Sequence, residues 1–226
     1  MDTHGRTKEE IFNILKERIV TLQYEPGKIL NEIELSEEFE VSRTPIRTVF
    51  QQLEAVKLVS IVPRYGVQVA TLDFLNIKKL FEVTKVLDPL ATKLAVTRLT
   101  DDDRKRLREI VLTLETYDTT KNYQEAILLD EKFHKIVTKS CGNPWLIDIL
   151  TDLHCQTERL WHYCDLYFSD MEIFTRTFRK IIEAFDKKDE QMAEKYAKEH
   201  IEDFVEKIKS ASFSLLTFTR IRKPAK

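Results

Sequence analysis

The stretch from Ser42 to Ala70 constrains the chain more than any other, because two patterns of different period meet there. Ile46, Val49, Phe50 and Leu53 recur at i, i+3, i+4 and i+7, the spacing of one apolar stripe on a helix. Thr44, Arg47, Thr48 and Gln51 repeat that spacing on the opposite side and carry only hydrogen-bonding groups. Ser42 is a favourable N-cap, and Pro45 falls in the first turn, where its missing N–H is no loss. After Leu58 the period drops to two. Ser60 to Ala70 predicts two short β-branched strands joined by Pro63-Arg64-Tyr65-Gly66.

Two further helices precede this unit. Ile11, Phe12, Leu15, Ile19 and Leu22 share a helix face over Lys8–Leu22, and Glu25-Pro26-Gly27 ends it. Asn31, with Glu34 three residues on, starts a shorter helix that buries Leu35 and Phe39 and ends near Glu40. Three helices followed by a hairpin define a winged helix-turn-helix. In that arrangement the third helix enters the major groove, where Arg pairs with guanine and Gln with adenine, and its N-terminus favours phosphate. The expected DNA contacts are Arg43, Thr44, Arg47, Thr48 and Gln51, with Arg64 and Gly66 at the wing tip.

A net charge of −2 argues against a broadly basic binder, so the distribution of charge decides. Residues 1–72 hold 9 basic and 11 acidic side chains. Arg43, Arg47, Lys57 and Arg64 face only Glu54 over residues 41–66, which makes that span +3 and the rest of the segment −5. Positive charge is confined to one stretch of an acidic domain.

From residue 73 onward the pattern is helical with short breaks, consistent with only 4 Gly and 6 Pro in 226 residues. The expected domains are a winged helix over 1–72 and an all-α bundle over 73–226, so the fold class is mainly α with a small β-hairpin. Six or seven helices are expected in the bundle: Phe74–Arg98 with Pro89 in its interior, Asp101–Tyr117 after the N-cap Thr100, Asn122–Ser140, Trp145–Tyr167, Met171–Lys187 and Glu190–Ser210. Cys141, Cys155 and Cys164 form no CxxC pair and read as reduced, structural thiols. No apolar run is long enough to cross a membrane and the N-terminus lacks secretory features, which predicts a cytoplasmic protein.

Polar chemistry in the bundle concentrates at Asp130 and His134, one helical turn apart among Leu129, Phe133 and Val137. A carboxylate and an imidazole so placed can hold a divalent metal or an anionic ligand, and they can equally be a surface hydrogen-bonded pair. His154, Glu158 and His162 recur at four-residue spacing further on, with Arg159 beside them. If that face points inward, His162 can add a metal ligand and Arg159 can bind an anion; otherwise the face is solvated.

EPGKIL, ELSEEFEVSRTPIRTVFQQLE and PRYGVQV together resemble the N-terminal domain of the GntR family of bacterial repressors and activators. The resemblance implies DNA contacts at Arg43, Thr44, Arg47, Arg64 and Gly66. LLDEKFHKIVTKSCGN and RKIIEAFDKKDEQMAEKYAKEHIEDF are similar to the FCD effector-binding domain of the FadR subfamily. That similarity implies a divalent metal such as Zn, Mn or Ni on Asp130, His134 and His200, a small carboxylate effector against it, and a homodimer on a palindromic operator. Effector contacts are then expected at Asp130, His134, Arg159, His162, Phe178 and His200.

Four positions depart from the family pattern. Phe178 stands where a further histidine ligand falls, Thr84 where many relatives have arginine, Ile33 where an arginine often begins the second helix, and Glu40 at the usual glycine of the turn. A left-handed backbone at Glu40 costs about 1 kcal/mol. Two other readings keep the same fold: a metal-dependent enzyme using Asp130, His134 and His200, and a protein-interaction adaptor. No GxSxG, HExxH or Gly-rich phosphate loop supports the enzyme.

Overall fold

A computed structural model describes residues 6–62, 65–118, 121–164 and 172–217. The chain forms two compact units, the first comprising the described residues up to Ile77 with His154–Tyr163, the second Lys78–Leu153 with Cys164 onward.

In the first unit, helix α1 (Lys8–Val20) opens on a reciprocal cap. Thr7 Oγ1 accepts from the Glu10 N–H while Glu10 accepts from the Thr7 N–H, so two orphan donors of the first turn are satisfied. Asn31 caps α2 (Glu32–Glu38) by accepting from the Ile33 N–H at 2.8 Å. The turn into α3 (Arg43–Ala55) passes through Glu40 at φ 55°, the left-handed conformation expected where relatives place glycine. Ile11, Leu15, Ile19, Ile46, Val49 and Leu53 are fully buried, so α1 and α3 close one core over their apolar stripes.

The wing consists of β2 (Val59–Val62) and β3 (Gly66–Val69), antiparallel, with Val59 opposite Val69. A third strand, β1 (Ile29–Leu30), lies on the other side of β3 and gives the order β1-β3-β2. Sequence periodicity does not reveal it, because two residues are too few to show an alternation. Its pairing is set by backbone groups: Gly27 donates to the Val69 carbonyl and Val69 returns a bond to Lys28, each at 2.9 Å.

The rest of the chain forms α4 (Phe74–Ala95), α5 (Asp101–Leu114), α6 (Tyr123–Ser140), α7 (Pro144–Cys164), α8 (Glu172–Lys187) and α9 (Glu190–Thr217), and the second unit takes these from Lys78 on, apart from His154–Tyr163. Helix α4 runs on through Pro89, and α9 continues past Ser210, where the sequence pattern fades. Thr100 and Asp103 repeat the reciprocal cap at α5. Met171, expected to start α8, lies outside the described residues.

Residues His154–Tyr163 of α7, expected in the helical domain, are grouped with the first unit. Cys155 joins its apolar core, Gln156 Nε2 donates to the Val56 carbonyl at 2.8 Å, and Arg159 donates to the Ala70 carbonyl. These bonds use backbone acceptors at the ends of α3 and β3 that no ladder satisfies.

The strain at Glu40 is directly testable. Glu40→Gly removes the left-handed penalty, offset partly by glycine's greater unfolded-state freedom, and is expected to raise unfolding free energy by about 0.5–1 kcal/mol in urea titration. An unchanged or lowered value contradicts the assignment of strain to this turn.

Candidate functional site

Two polar constellations stand out, one in each unit. On α3 the residues opposite the buried stripe reach solvent: Arg43, Thr44, Arg47 and Gln51 are exposed and Thr48 is half-buried. Thr48 Oγ1 donates to the Thr44 carbonyl at 3.1 Å, which anchors that turn. Arg47 Nε donates to Glu32 Oε2 at 2.8 Å although its side chain is 67% exposed. This bond raises the Arg47 pKa above its usual value, so the guanidinium remains a cation. Arg43 forms no ion pair among the described residues, and the N-cap Ser42 makes no side-chain bond to the first turn. The helix start therefore offers open N–H groups beside a cation.

Gly66 begins β3 at φ 106°, a conformation that L side chains rarely adopt. Arg64, expected at the wing tip, lies outside the described residues. Tyr65 is highly exposed there. Ile33 is exposed at the start of α2, so an apolar side chain faces solvent where relatives often present arginine.

The second constellation joins α6, α8 and α9. Asp130 and His200 are buried and His134 is half-buried. The two imidazole Nε2 atoms lie 3.2 Å apart, and the Asp130 oxygens lie 3.8 Å from His134 Nε2 and 3.7 Å from His200 Nε2. Thr177 Oγ1 sits 2.8 Å from His200 Nδ1. With its proton on Nδ1, His200 donates to Thr177 and presents the Nε2 lone pair to His134. Sequence spacing gave no sign of Thr177, which reaches His200 across the α8–α9 hairpin.

Phe178 takes the remaining side. It stacks on Phe133 at 3.8 Å between centroids and 7° between planes, and its centroid lies 4.7 Å from that of His200. The adjoining cavity has a volume of about 10 Å³ and is lined by Asp88, Thr92, Phe133, His134, Val137 and His200 among others. That is room for about one water or one ion. Thr84, at the position of the relatives' arginine, is buried, and its hydroxyl has no hydrogen-bond partner.

One ligand atom from each of Asp130, His134 and His200 lies within 4.8 Å of the other two, close enough to converge on one ion. Thr177 would supply the outer hydrogen bond that orients His200 if that imidazole held a metal. Phe178 adds no lone pair, so the protein offers three ligands. Arg159 and His162, expected as effector contacts, belong to the first unit. Arg159 is fully buried, and burial pushes its guanidinium down to about 10, which leaves it charged at neutral pH.

A winged helix-turn-helix with its polar face exposed, followed by an all-helical unit, defines a DNA-binding transcription regulator. Residues 7–69 match the bacterial regulatory proteins of the gntR family, and residues 79–203 match the FCD domain. The chain belongs to the GntR family with an FCD domain. It is 27% identical over 210 residues to the HTH-type transcriptional regulator YdhC of Bacillus subtilis strain 168, covering 88% of this chain and 90% of that one. It is 24% identical over 203 residues to the HTH-type transcriptional repressor RspR of Escherichia coli K12, covering 89% and 88%. The fold matches that of E. coli McbR/YncC with a TM-score of 0.77 at 20% identity, over 92% of this chain and 97% of the other. Membership in a family of regulators sets aside the enzyme reading of Asp130, His134 and His200. No helix among the described residues is long and apolar enough to cross a membrane.

Burial, with a smaller effect from neighbouring His134, holds His200 well below the ordinary histidine value of 6.5. The unfolded chain then binds a proton that the folded chain refuses, so stability falls as pH drops below that value. Between about pH 7.5 and about pH 5.5 the metal-free protein is expected to lose unfolding free energy, and His200→Gln to lose less. Equal pH dependence in both proteins contradicts a neutral buried His200.

Proposed function

We propose that the protein is a ligand-responsive regulator that binds a palindromic operator as a homodimer in the cytoplasm. Residues 1–72 read DNA and residues 73–226 sense an effector and dimerise. The observation that carries this reading is the two-sidedness of α3: its apolar face is fully buried while Arg43, Thr44, Arg47 and Gln51 stand in solvent.

In the major groove Arg43 and Arg47 pair with guanine edges, Gln51 reads adenine, and Thr44 and Thr48 contact phosphate or bases. Arg64 and the Gly66 backbone contact the adjacent phosphates from the wing. Arg47 must exchange Glu32 for a base edge, so specific DNA replaces one exposed ion pair that is itself weak. The acidic remainder of the domain opposes indiscriminate binding, which leaves affinity to the specific contacts of two half-sites.

Asp130, His134 and His200 would hold a divalent metal, Zn, Mn or Ni, with Thr177 orienting His200. Such an ion supplies an open position for an electronegative atom of the effector, such as the oxygen of a small carboxylate metabolite. Phe178 and Phe133 give the effector an apolar wall. An effector that binds one arrangement of the dimer more tightly shifts the population toward it and so changes operator occupancy.

Arg43→Ala and Arg47→Ala are each expected to weaken operator binding by about 1–3 kcal/mol in fluorescence anisotropy, with relaxed preference at the base each one reads. Unchanged affinity and preference in both variants would sink the assignment of α3 as the reading helix. Dialysed protein is expected to retain close to one equivalent of metal per chain by elemental analysis, and His134→Ala to retain none. Metal-free wild type argues against the ion while leaving the DNA reading intact.

A further inference from the structure

Helix α2 begins against the reading face. Arg47 Nε on α3 donates to Glu32, the first residue of α2, at 2.8 Å, so the first turn of α2 borders the exposed side of α3. The next residue, Ile33, is 44% exposed. Among the described residues it is the one large apolar side chain of α1, α2 or α3 that stands exposed, whereas Leu35, two positions on, enters the core. Its backbone is held on both sides: the Ile33 N–H donates to Asn31 Oδ1 and the Ile33 carbonyl accepts from Ser36 Oγ, each at 2.8 Å. A β-branched side chain on a helix has one strongly preferred rotamer. Ile33 is therefore a fixed apolar knob at the edge of a surface otherwise made of hydrogen-bonding groups, those of Arg43, Thr44, Arg47 and Gln51.

We propose that Ile33 is a specificity-determining residue that packs on the 5-methyl group of a thymine in each half-site, beside the base read by Arg47. The inference rests on the DNA reading above and adds to it the base met by the start of α2. Base edges in the major groove present donors, acceptors and one apolar group, the thymine methyl. The polar face of α3 answers the donors and acceptors, and Ile33 presents the largest apolar group beside it. Covering the methyl takes apolar surface of both partners out of water at one point of fixed geometry, which discriminates thymine from every base that lacks the methyl. The contact neutralises no phosphate and releases no counterion. The preference it creates is thus independent of salt, unlike the affinity supplied by the arginines.

The test uses the duplex that the full-length wild type enriches from random sequence, remade with each thymine replaced in turn by deoxyuridine, which removes the methyl and keeps the hydrogen-bonding edge. Fluorescence anisotropy gives the Kd for wild type, Ile33→Ala and Ile33→Val, with far-UV circular dichroism to establish folding. For the wild type, uracil at one thymine of a half-site is expected to weaken binding about fourfold, and about fifteenfold when placed in both half-sites. Ile33→Ala is expected to bind the thymine duplex more weakly by a similar factor and to be indifferent to uracil at that position, while responding to every other thymine as the wild type does. Ile33→Val is expected to keep most of the discrimination, and the wild-type ratio to hold as salt is raised. An Ile33→Ala protein that still tells thymine from uracil at that position, or a half-site with no methyl-sensitive thymine, overturns the role of Ile33 while the reading by α3 stands. A wild type that enriches no shared sequence overturns both.

Discussion

Burial of Ile46, Val49, Phe50 and Leu53 against α1 is the constraint from which the DNA-reading end follows. Four side chains removed from water contribute of order 1.5–3 kcal/mol each, far more than any single polar contact on the opposite face. They fix the rotation of α3 about its axis, and with it the direction in which Arg43, Arg47 and Gln51 point. The reading face thus needs no stabilising interactions of its own. Its threonine turn and the Arg47–Glu32 pair only limit where those side chains wander.

The helical unit solves a different problem, the burial of a carboxylate and imidazoles among aromatic rings. An isolated buried charge there is costly, so the groups are gathered within hydrogen-bonding or near-contact distance of each other and of Thr177. Phe178 closes one side with a ring that offers dispersion contact but no electron pair. The cavity beside the cluster takes its apolar lining from Phe133, Val137, Ile181, Ala197 and Ile201. Thr84 on α4 is buried too, and its hydroxyl has no hydrogen-bond partner.

Legibility in the sequence followed the range of the interaction involved. Helices α1, α2, α3 and α5 announce themselves through caps and periodicity because every signal lies within one or two turns. The left-handed turn at Glu40 was legible only through the family resemblance, which places a glycine there. Strand β1 was not, since it is defined by backbone bonds to a segment some forty residues away. The regular period of α7 conceals that His154–Tyr163 group with the first unit, because a helix keeps its pattern while its partners change. Asp130 and His134 were adjacent by spacing, whereas His200 came by family resemblance. Thr177 and the Glu32 partner of Arg47 were invisible, being contacts between helices that carry no periodic mark.

The central claim is that α3 reads a specific sequence twice, once from each protomer. Repeated selection from random double-stranded DNA by the wild-type protein at moderate salt tests it most directly. The account predicts an enriched inverted repeat whose half-sites lie about one helical turn apart, centre to centre. A selected pool with no shared sequence, or with a single unpaired half-site, would contradict it.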